Sequence, residues 1–205
     1  AGGAGTTVFS NNVMWNVNTA AVASVYPLQF TSSSNPMTIS GNVIIGAKGN
    51  TGGTTGYCIN YATPESTFTN NTIAGFDAGS TNNSALQFSN SSNAVIGTFS
   101  GNVIHSNSTG GLYFSSSSAA VVGTIGTTTI YRNNGSGLHP QASTRGSCDV
   151  IFDTCSFFGN VSPNINFQTG GRQGRLTFKS CSFNSDASFA TTTNMTFANC
   201  DVVVF

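Results

Sequence analysis

Charged residues are nearly missing from this chain. Only 6 acidic and 6 basic residues occur among 205, and the formal net charge is zero, whereas about a quarter of an average globular protein is charged. Proteins that follow nucleic-acid phosphates need a basic surface, so the composition argues against a nucleic-acid partner. Apolar runs of the roughly 20 residues that a membrane helix requires are also missing, and we expect no membrane span.

Helix-forming residues are scarce as well. Ala, Glu, Lys and Leu are too few for a helical protein, while Ser, Thr, Asn and Gly together make up 103 of the residues. Such a composition is typical of a flexible linker, yet 38% of the residues are hydrophobic and 11% are aromatic. That content is enough for a folded core if the apolar residues are regularly spaced.

A short block recurs along the chain, and one large apolar residue marks each copy. The block reads Thr-Phe-Thr-Asn-Asn at 67–71 and Thr-Phe-Ser-Gly-Asn at 98–102, and a second apolar residue always follows five positions after the marker. The intervals between markers run from 31 residues down to 19 for the last one. The eight markers, which we take as core anchors, are Phe9, Ile39, Phe68, Phe99, Ile125, Phe152, Phe178 and Phe197.

A second motif, apolar-variable-apolar, lies in the other half of each interval, for example Leu28-Gln29-Phe30 and Leu86-Gln87-Phe88. This period of two predicts strands with one buried face, and the Gly, Ser, Asn and Thr clusters between the motifs predict turns. One unit cannot bury its own inward face, but stacked copies about 4.8 Å apart can. The sequence therefore predicts an all-β fold, one parallel β-solenoid domain over 1–205, with about 7–8 coils of 26–31 residues. A propeller, with blades of about 40 residues, fits less well.

The third residue after each anchor forms a column of its own. Asn tolerates left-handed backbone, and its amide can bond to the coils on both sides. With its Phe-x-x-Asn turns the chain resembles the pectate-lyase-like parallel β-helix family, and this resemblance implies a right-handed coil with an inward asparagine ladder. A weaker likeness to bacterial polymorphic outer-membrane proteins lacks their Gly-Gly-Ala-Ile tetrad. The predicted ladder is Asn12, Asn42, Asn71, Asn102, Thr128, Cys155, Cys181 and Cys200.

Polysaccharide-cleaving enzymes on this fold use clustered acids, which are rare here. A shift of one coil sets Asp149 beside Arg175 and Asp153 beside Lys179, which predicts stacked surface ion pairs. We find no carboxylate pair suited to glycoside hydrolysis, so we expect no enzymatic activity, no catalytic residue and no cofactor. The six acids are Glu65, Asp77, Asp149, Asp153, Asp186 and Asp201.

Histidines and cysteines show no zinc-type spacing, so no metal site is predicted. His105 is expected in register with Tyr131, and His139 with Asn166, in different parts of the coil. Ladder cysteines are interpreted as buried thiols that pack as small apolar groups. The alternative is ladder disulfides, which fit less well because stacked Cβ atoms stay near 4.8 Å apart instead of about 3.8 Å. Cys58 faces outward in the predicted strand, as an intermolecular disulfide or as a free surface thiol.

Three functions are compatible with these observations. The first is an extracellular or cell-surface structural protein that polymerises with itself, end to end or laterally, into a filament, sheath or cell-envelope layer. An archaeal sheath subunit is one example of this kind. Strand-like segments near both termini lack amphipathic caps, and the near absence of charge removes repulsion between copies.

The alternative is a section of an adhesin or phage tailspike that binds surface glycans through Tyr57, Tyr113 and Tyr131. An ice-binding surface requires regular Thr-x-Thr rows, for which only 127–129 and 191–193 give a hint.

Overall fold

A computed structural model describes residues 7–17, 28–31, 36–46, 59–62, 66–77, 84–90, 94–95, 97–116, 121–142, 148–161, 165, 168–169, 175–183, 195–198 and 201–202. Within these ranges lie 23 β-strands, numbered β1 to β23 in chain order, and no helix. No helix long and apolar enough to cross a bilayer is found among the described residues. Several residues named above lie outside the described ranges: Tyr57, Cys58, Glu65, Asn166, Asp186, Thr191, Thr192, Thr193 and Cys200.

The first sheet contains eight strands in parallel succession along the solenoid axis, and β10 (Ala94–Val95) pairs with one of them. In spatial order the eight are β1 (Thr7–Ser10), β4 (Met37–Ser40), β7 (Thr67–Thr69), β11 (Thr98–Ser100), β14 (Val121–Gly126), β17 (Cys148–Asp153), β20 (Arg175–Lys179) and β22 (Met195–Ala198).

The second sheet follows the first around a tight corner and again has eight strands in succession. They are β2 (Val13–Val17), β5 (Val43–Gly46), β8 (Thr72–Ala74), β12 (Val103–His105), β15 (Thr129–Tyr131), β18 (Ser156–Phe158), β21 (Ser182–Phe183) and β23 (Asp201–Val202).

The third sheet contains the apolar-variable-apolar motifs in six strands. They are β3 (Leu28–Thr31), β6 (Ile59–Ala62), β9 (Ser84–Asn90), β13 (Gly110–Ser116), β16 (Leu138–Ala142) and β19 (Gln168–Thr169). An isolated parallel bridge from Leu138 to Ile165 extends the same register. The chain visits the three sheets in turn, and every pairing is parallel, so the predicted all-β parallel solenoid is confirmed.

The strand register agrees with the sequence alignment of the repeats. Phe9 pairs with Ile39, Ile39 with Phe68, and the succession continues coil by coil to Phe178 and Phe197. The residues five positions later are paired in the same way in the second sheet, starting from Met14 and Ile44. The anchors therefore form two continuous columns along the solenoid.

The side chains of the two anchor columns form the hydrophobic core. From Ile39 to Phe178 the first-sheet anchors are at most 2% exposed, and from Ile44 to Phe183 those of the second sheet are at most 1% exposed. Phe152 and Phe178 stack with ring centroids 5.1 Å apart, and Phe157 and Phe183 stack at 5.3 Å. The two stacks meet edge to face, with Phe152 and Phe157 5.8 Å apart. Both arrangements are favourable aromatic geometries, and they hold neighbouring coils in register.

Candidate functional site

The corner between the first and second sheets requires left-handed backbone in every coil where it is described. The residue two positions after each anchor has a positive φ: Asn11, Gly41, Asn70, Gly101, Thr127, Thr154 and Ser180, with values between 43° and 67°. Asn and Gly tolerate this region, whereas a β-branched residue is strained there. The chain turns sharply at this residue, and the next side chain points inward.

That inward side chain is the predicted ladder residue. Asn42 Nδ2 donates to Asn71 Oδ1 at 2.8 Å, and the backbone N–H of Asn42 donates to the same oxygen at 3.0 Å. Asn12 bonds to Asn42 in the same way, and so does Asn71 to Asn102. Asn42, Asn71 and Asn102 also donate to the anchor carbonyl of the preceding coil, as Asn71 does to Ile39 O at 3.0 Å. Asn12 Nδ2 donates instead to Ser10 O at 3.1 Å. From Asn42 to Asn102 the ladder is fully buried.

Thr128, Cys155 and Cys181 occupy the same buried position in the following coils. Cys155 Sγ donates to Ile125 O at 3.4 Å, and Cys181 Sγ donates to Phe152 O at 3.5 Å. These acceptors are the anchor carbonyls that an asparagine would reach. The cysteine thiols and the asparagine amides therefore satisfy the same kind of buried carbonyl. Thr128 differs, because its Oγ1 donates to Gly126 O at 3.0 Å within its own coil.

A second asparagine ladder, which the sequence analysis missed, lies at the corner after the second sheet. Asn107 Nδ2 donates to Asn133 Oδ1 at 2.8 Å, and Asn133 Nδ2 donates to Asn160 Oδ1 at 2.9 Å. The three side chains are at most 2% exposed. Each lies three residues after its apolar anchor, behind a residue with positive φ, so the two corners share one local design.

Cys155 and Cys181 are free, buried thiols, each 1% exposed. This state agrees with the interpretation of ladder cysteines as thiols instead of disulfides. The neighbouring Cys181 thiol and burial raise the pKa of Cys155, while the neighbouring Cys155 thiol lowers the pKa of Cys181 to about 7. Cys58 and Cys200 lie outside the described residues, and the intermolecular disulfide of Cys58 stays a prediction.

The outer face of the second sheet combines apolar and aromatic side chains with the hydroxyls of Thr72, Thr129, Ser156 and Ser182, and we call its apolar part the apolar face. Trp15 is 73% exposed and Val13 is 62% exposed. Ile45, Ala74, His105, Tyr131 and Phe158 continue one column in register, in which Ala74 is only 5% exposed. The outward positions of the described second-sheet strands from β2 to β21 contain no Asp, Glu, Lys or Arg. At the following corner, Arg132 Cζ lies 6.0 Å from the Tyr131 ring centroid. The apolar face is Val13, Trp15, Val43, Ile45, Ala74, Val103, His105, Tyr131 and Phe158.

Aromatic rings on the apolar face stack on one another. The His105 and Tyr131 rings are 4.8 Å apart and inclined by 11°, and Tyr131 and Phe158 are 4.8 Å apart at 13°. Burial, and then the Arg132 charge, lower the pKa of His105. Because both faces of the Tyr131 ring are covered, the ring presents its edge, and not a flat platform, to a sugar. The glycan interpretation was wrong about Tyr113, which is 4% exposed in the third sheet.

The outer face of the first sheet carries hydroxyl groups in register, and we call it the hydroxyl face. Thr38 pairs with Thr67, which pairs with Thr98, and two residues along each strand lies a further hydroxyl. The expected Thr-x-Thr row at 127–129 does not lie on this face, because Thr127 occupies the corner and Thr129 belongs to the second sheet. The hydroxyl face is Thr38, Ser40, Thr67, Thr69, Thr98, Ser100 and Thr124.

Charged side chains cluster only loosely on the first sheet. The register places Asp149 opposite Arg175 and Asp153 opposite Lys179, as the alignment expected. Asp153 Oδ1 accepts a hydrogen bond from Thr154 Oγ1 at 3.0 Å, and the two ion pairs stay a prediction. Asp149 and Asp153 are four residues apart on one strand, about 13 Å, which exceeds the 5–9.5 Å separation of glycosidase carboxylates.

No group of three or more potential metal ligands of the His, Cys, Asp or Glu type is found in the part of the chain that the structure describes. Comparisons with protein-family models, curated proteins and solved structures find no match to this chain. The protein class is therefore defined by its architecture, a parallel β-solenoid whose coils are joined by asparagine side-chain ladders.

Proposed function

We propose that the protein is an extracellular structural protein that associates laterally with copies of itself, as a subunit of a filament, sheath or cell-envelope layer. The observation that carries this proposal is the apolar face. A soluble monomer rarely leaves a contiguous apolar strip of this kind uncovered, and an uncharged surface adds little repulsion between copies.

The geometry of the solenoid also suits a structural role. Two uninterrupted columns of core anchors and two buried asparagine ladders connect successive coils, so bending or slipping one coil breaks several contacts at once. Repeat proteins of this kind are rigid along their axis and present long, regular outer faces. A second copy aligned along the same axis can meet the apolar and aromatic column that runs from Ile45 to Phe158.

Trp15 supplies the largest single contribution. An aromatic side chain buries roughly 150–250 Å², so a residue that is 73% exposed has about 150 Å² left to cover. At about 25 cal/mol per Å², complete coverage is worth about 4 kcal/mol and half coverage about 2 kcal/mol. Losing that contact weakens association roughly 30- to 700-fold.

The test compares two lysine substitutions of equal charge on different faces. Sedimentation velocity over a concentration series should show self-association of the unmodified chain and of Thr98→Lys, whose change lies on the hydroxyl face. Trp15→Lys should remain monomeric over the same range, with an unchanged far-UV circular dichroism spectrum. A chain that stays monomeric throughout, or equal loss in both variants, would contradict the proposal. A monomer that binds soluble glycans would favour the glycan alternative.

The hydroxyl face favours a second candidate function, which is ice binding. Coils about 4.8 Å apart and residues two apart on a strand, about 6.6–6.8 Å, place the Thr and Ser hydroxyls on a flat two-dimensional grid. Such a grid can hold water in an ordered array and present methyl groups between the rows. The hydroxyl grid is confined to the coils from Thr38 to Thr124, because Asp153 and Lys179 continue the same outward column in the later coils.

Ice-crystal growth in the presence of the protein tests this candidate. Thr98→Lys is now the disrupting variant, and Trp15→Lys is the control. We expect faceted crystals and a lowered freezing point for the unmodified chain and for Trp15→Lys, and loss of both for Thr98→Lys, which breaks the grid. Unmodified ice growth with the wild-type chain would eliminate the ice-binding function and leave the structural proposal intact.

A further inference from the structure

Two thiols meet inside the ladder column without forming a disulfide. Cys155 and Cys181 lie opposite each other in adjacent coils, between the paired residues Asp153–Lys179 and Ser156–Ser182. Each thiol donates to the anchor carbonyl of the preceding coil, Ile125 O or Phe152 O, and both belong to the buried cluster that contains Phe152 and Phe178. The proposed assembly function does not use this pair.

The spacing of the pair suits a metal ion better than a disulfide. Parallel strands hold the two Cα atoms about 4.8 Å apart with parallel side chains, whereas a disulfide brings its Cβ atoms to about 3.8 Å. A linear sulfur–metal–sulfur unit with bonds near the zinc–sulfur length of about 2.3 Å spans about 4.6 Å, close to the coil spacing. We propose that Cys155 and Cys181 form a binding site for a soft monovalent metal ion, Cu(I) or Ag(I), held between their two sulfur atoms.

The chemistry of the surroundings selects this class of ion. Thiolates prefer soft ions such as Cu(I), and a monovalent d¹⁰ ion is satisfied by two ligands in a line. Zinc requires four ligands, and no third Cys, His, Asp or Glu joins the pair within the described residues. Calcium and magnesium prefer oxygen ligands, which these side chains do not supply.

Charge balance is met with the loss of one proton. One S–H bond breaks, its proton leaves to solvent, and the resulting thiolate binds the cation while the second sulfur coordinates as a thiol. No atom changes oxidation state, and the complex is neutral, so the core does not acquire a buried charge. Entry of the ion requires local opening, because both sulfurs are buried.

Silver ion is the probe for the test, since it needs no reductant. The full chain with Cys58, Cys148 and Cys200 replaced by serine keeps only the proposed pair. Titration with Ag(I), followed by the silver–thiolate absorption band, should saturate at one ion per chain, and X-ray absorption should show two sulfur neighbours. The melting temperature should rise at saturation, since binding to the folded state stabilises it.

Single replacements then test the site itself. Cys155→Ser and Cys181→Ser in the same background should weaken silver binding at least 100-fold and abolish the rise in melting temperature. Serine keeps a hydroxyl donor for the anchor carbonyl, and circular dichroism of the metal-free variants verifies that they fold. If serine unfolds the chain, Cys→Val at the same position replaces it. Undiminished binding in the single variants, one sulfur neighbour, or binding only with loss of the β-sheet spectrum would overturn the proposal.

Discussion

Removing one amide from the middle of the first ladder is the sharpest test of how the coils are joined. The replacement Asn71→Ala deletes four hydrogen bonds at a residue that is fully buried. Two are donated by Nδ2, to Ile39 O at 3.0 Å and to Asn102 Oδ1 at 3.1 Å. Two are accepted by Oδ1 from the backbone N–H and the Nδ2 of Asn42, at 3.0 Å and 2.8 Å.

The cost follows from what each partner loses. The backbone N–H of Asn42 loses its acceptor inside the core, and a buried group without a partner costs about 1–3 kcal/mol. The three other groups keep part of their bonding and each lose about 0.5–1.5 kcal/mol. Allowing for relaxation, we expect a loss of about 3–5 kcal/mol in the free energy of unfolding. This is a large fraction of the 5–15 kcal/mol typical of a folded domain.

Urea denaturation followed by far-UV circular dichroism measures this loss. The matched control is Asn70→Gly, one residue earlier, where the side chain is exposed and the positive φ of 56° suits glycine. We expect the control to change the free energy of unfolding by less than about 1 kcal/mol. If Asn71→Ala were no more destabilising than Asn70→Gly, the ladder would not hold the coils together and the argument from hydrogen bonding would fail.

Three further predictions concern the corners and the thiols. Gly101→Ala should destabilise the chain by about 2 kcal/mol or more, because φ is +67° and the new Cβ would collide with the Asn70 side chain. The control is Gly126→Ala, whose new Cβ would make only an ordinary contact at 3.5 Å. Equal melting temperatures of the two variants would contradict the explanation. Thr127→Gly should increase the free energy of unfolding by about 1 kcal/mol and so raise the melting temperature, since it removes a β-branched residue from φ +43°. A lower melting temperature would show that Thr127 is not strained. Iodoacetamide should label Cys155 and Cys181, detected by mass spectrometry, only as fast as the solenoid opens, and prompt labelling in native buffer would refute their burial.

The strand register was predictable from sequence because burial restricts the residues that can occupy an anchor. A large apolar side chain is required at each inward position, so the eight anchors stand out from a background of Ser, Thr, Asn and Gly. The first ladder was predictable for the same reason, since Asn or Cys follows three residues later in seven of the eight coils. Both patterns repeat along the chain, and repetition reveals which residues are neighbours in space.

What the sequence analysis missed depends on contacts that do not repeat. The second ladder includes Asn107, Asn133 and Asn160, but Phe76 fills the equivalent place one coil earlier, which interrupts the column. The second ladder could have been predicted by looking, at the second corner too, for an asparagine three residues after each apolar anchor. Burial of Tyr113 was missed because an alternating strand indicates one buried face, whereas Ala85 and Leu86 are both buried in the neighbouring strand.

Pulsed electron-spin distance measurement tests the stacked register most directly. Spin labels on keto-bearing amino acids are placed at Thr38 with Thr124, and at Thr38 with Thr177, all on the outer side of the first sheet. Thr124 is three coils from Thr38 and Thr177 is five, so the Cα separations should be about 14 Å and about 24 Å. Because the label arms contribute equally to both pairs, the difference should be about 10 Å. Equal distances, or a longer distance for the first pair, would show that the coils are not stacked in this order.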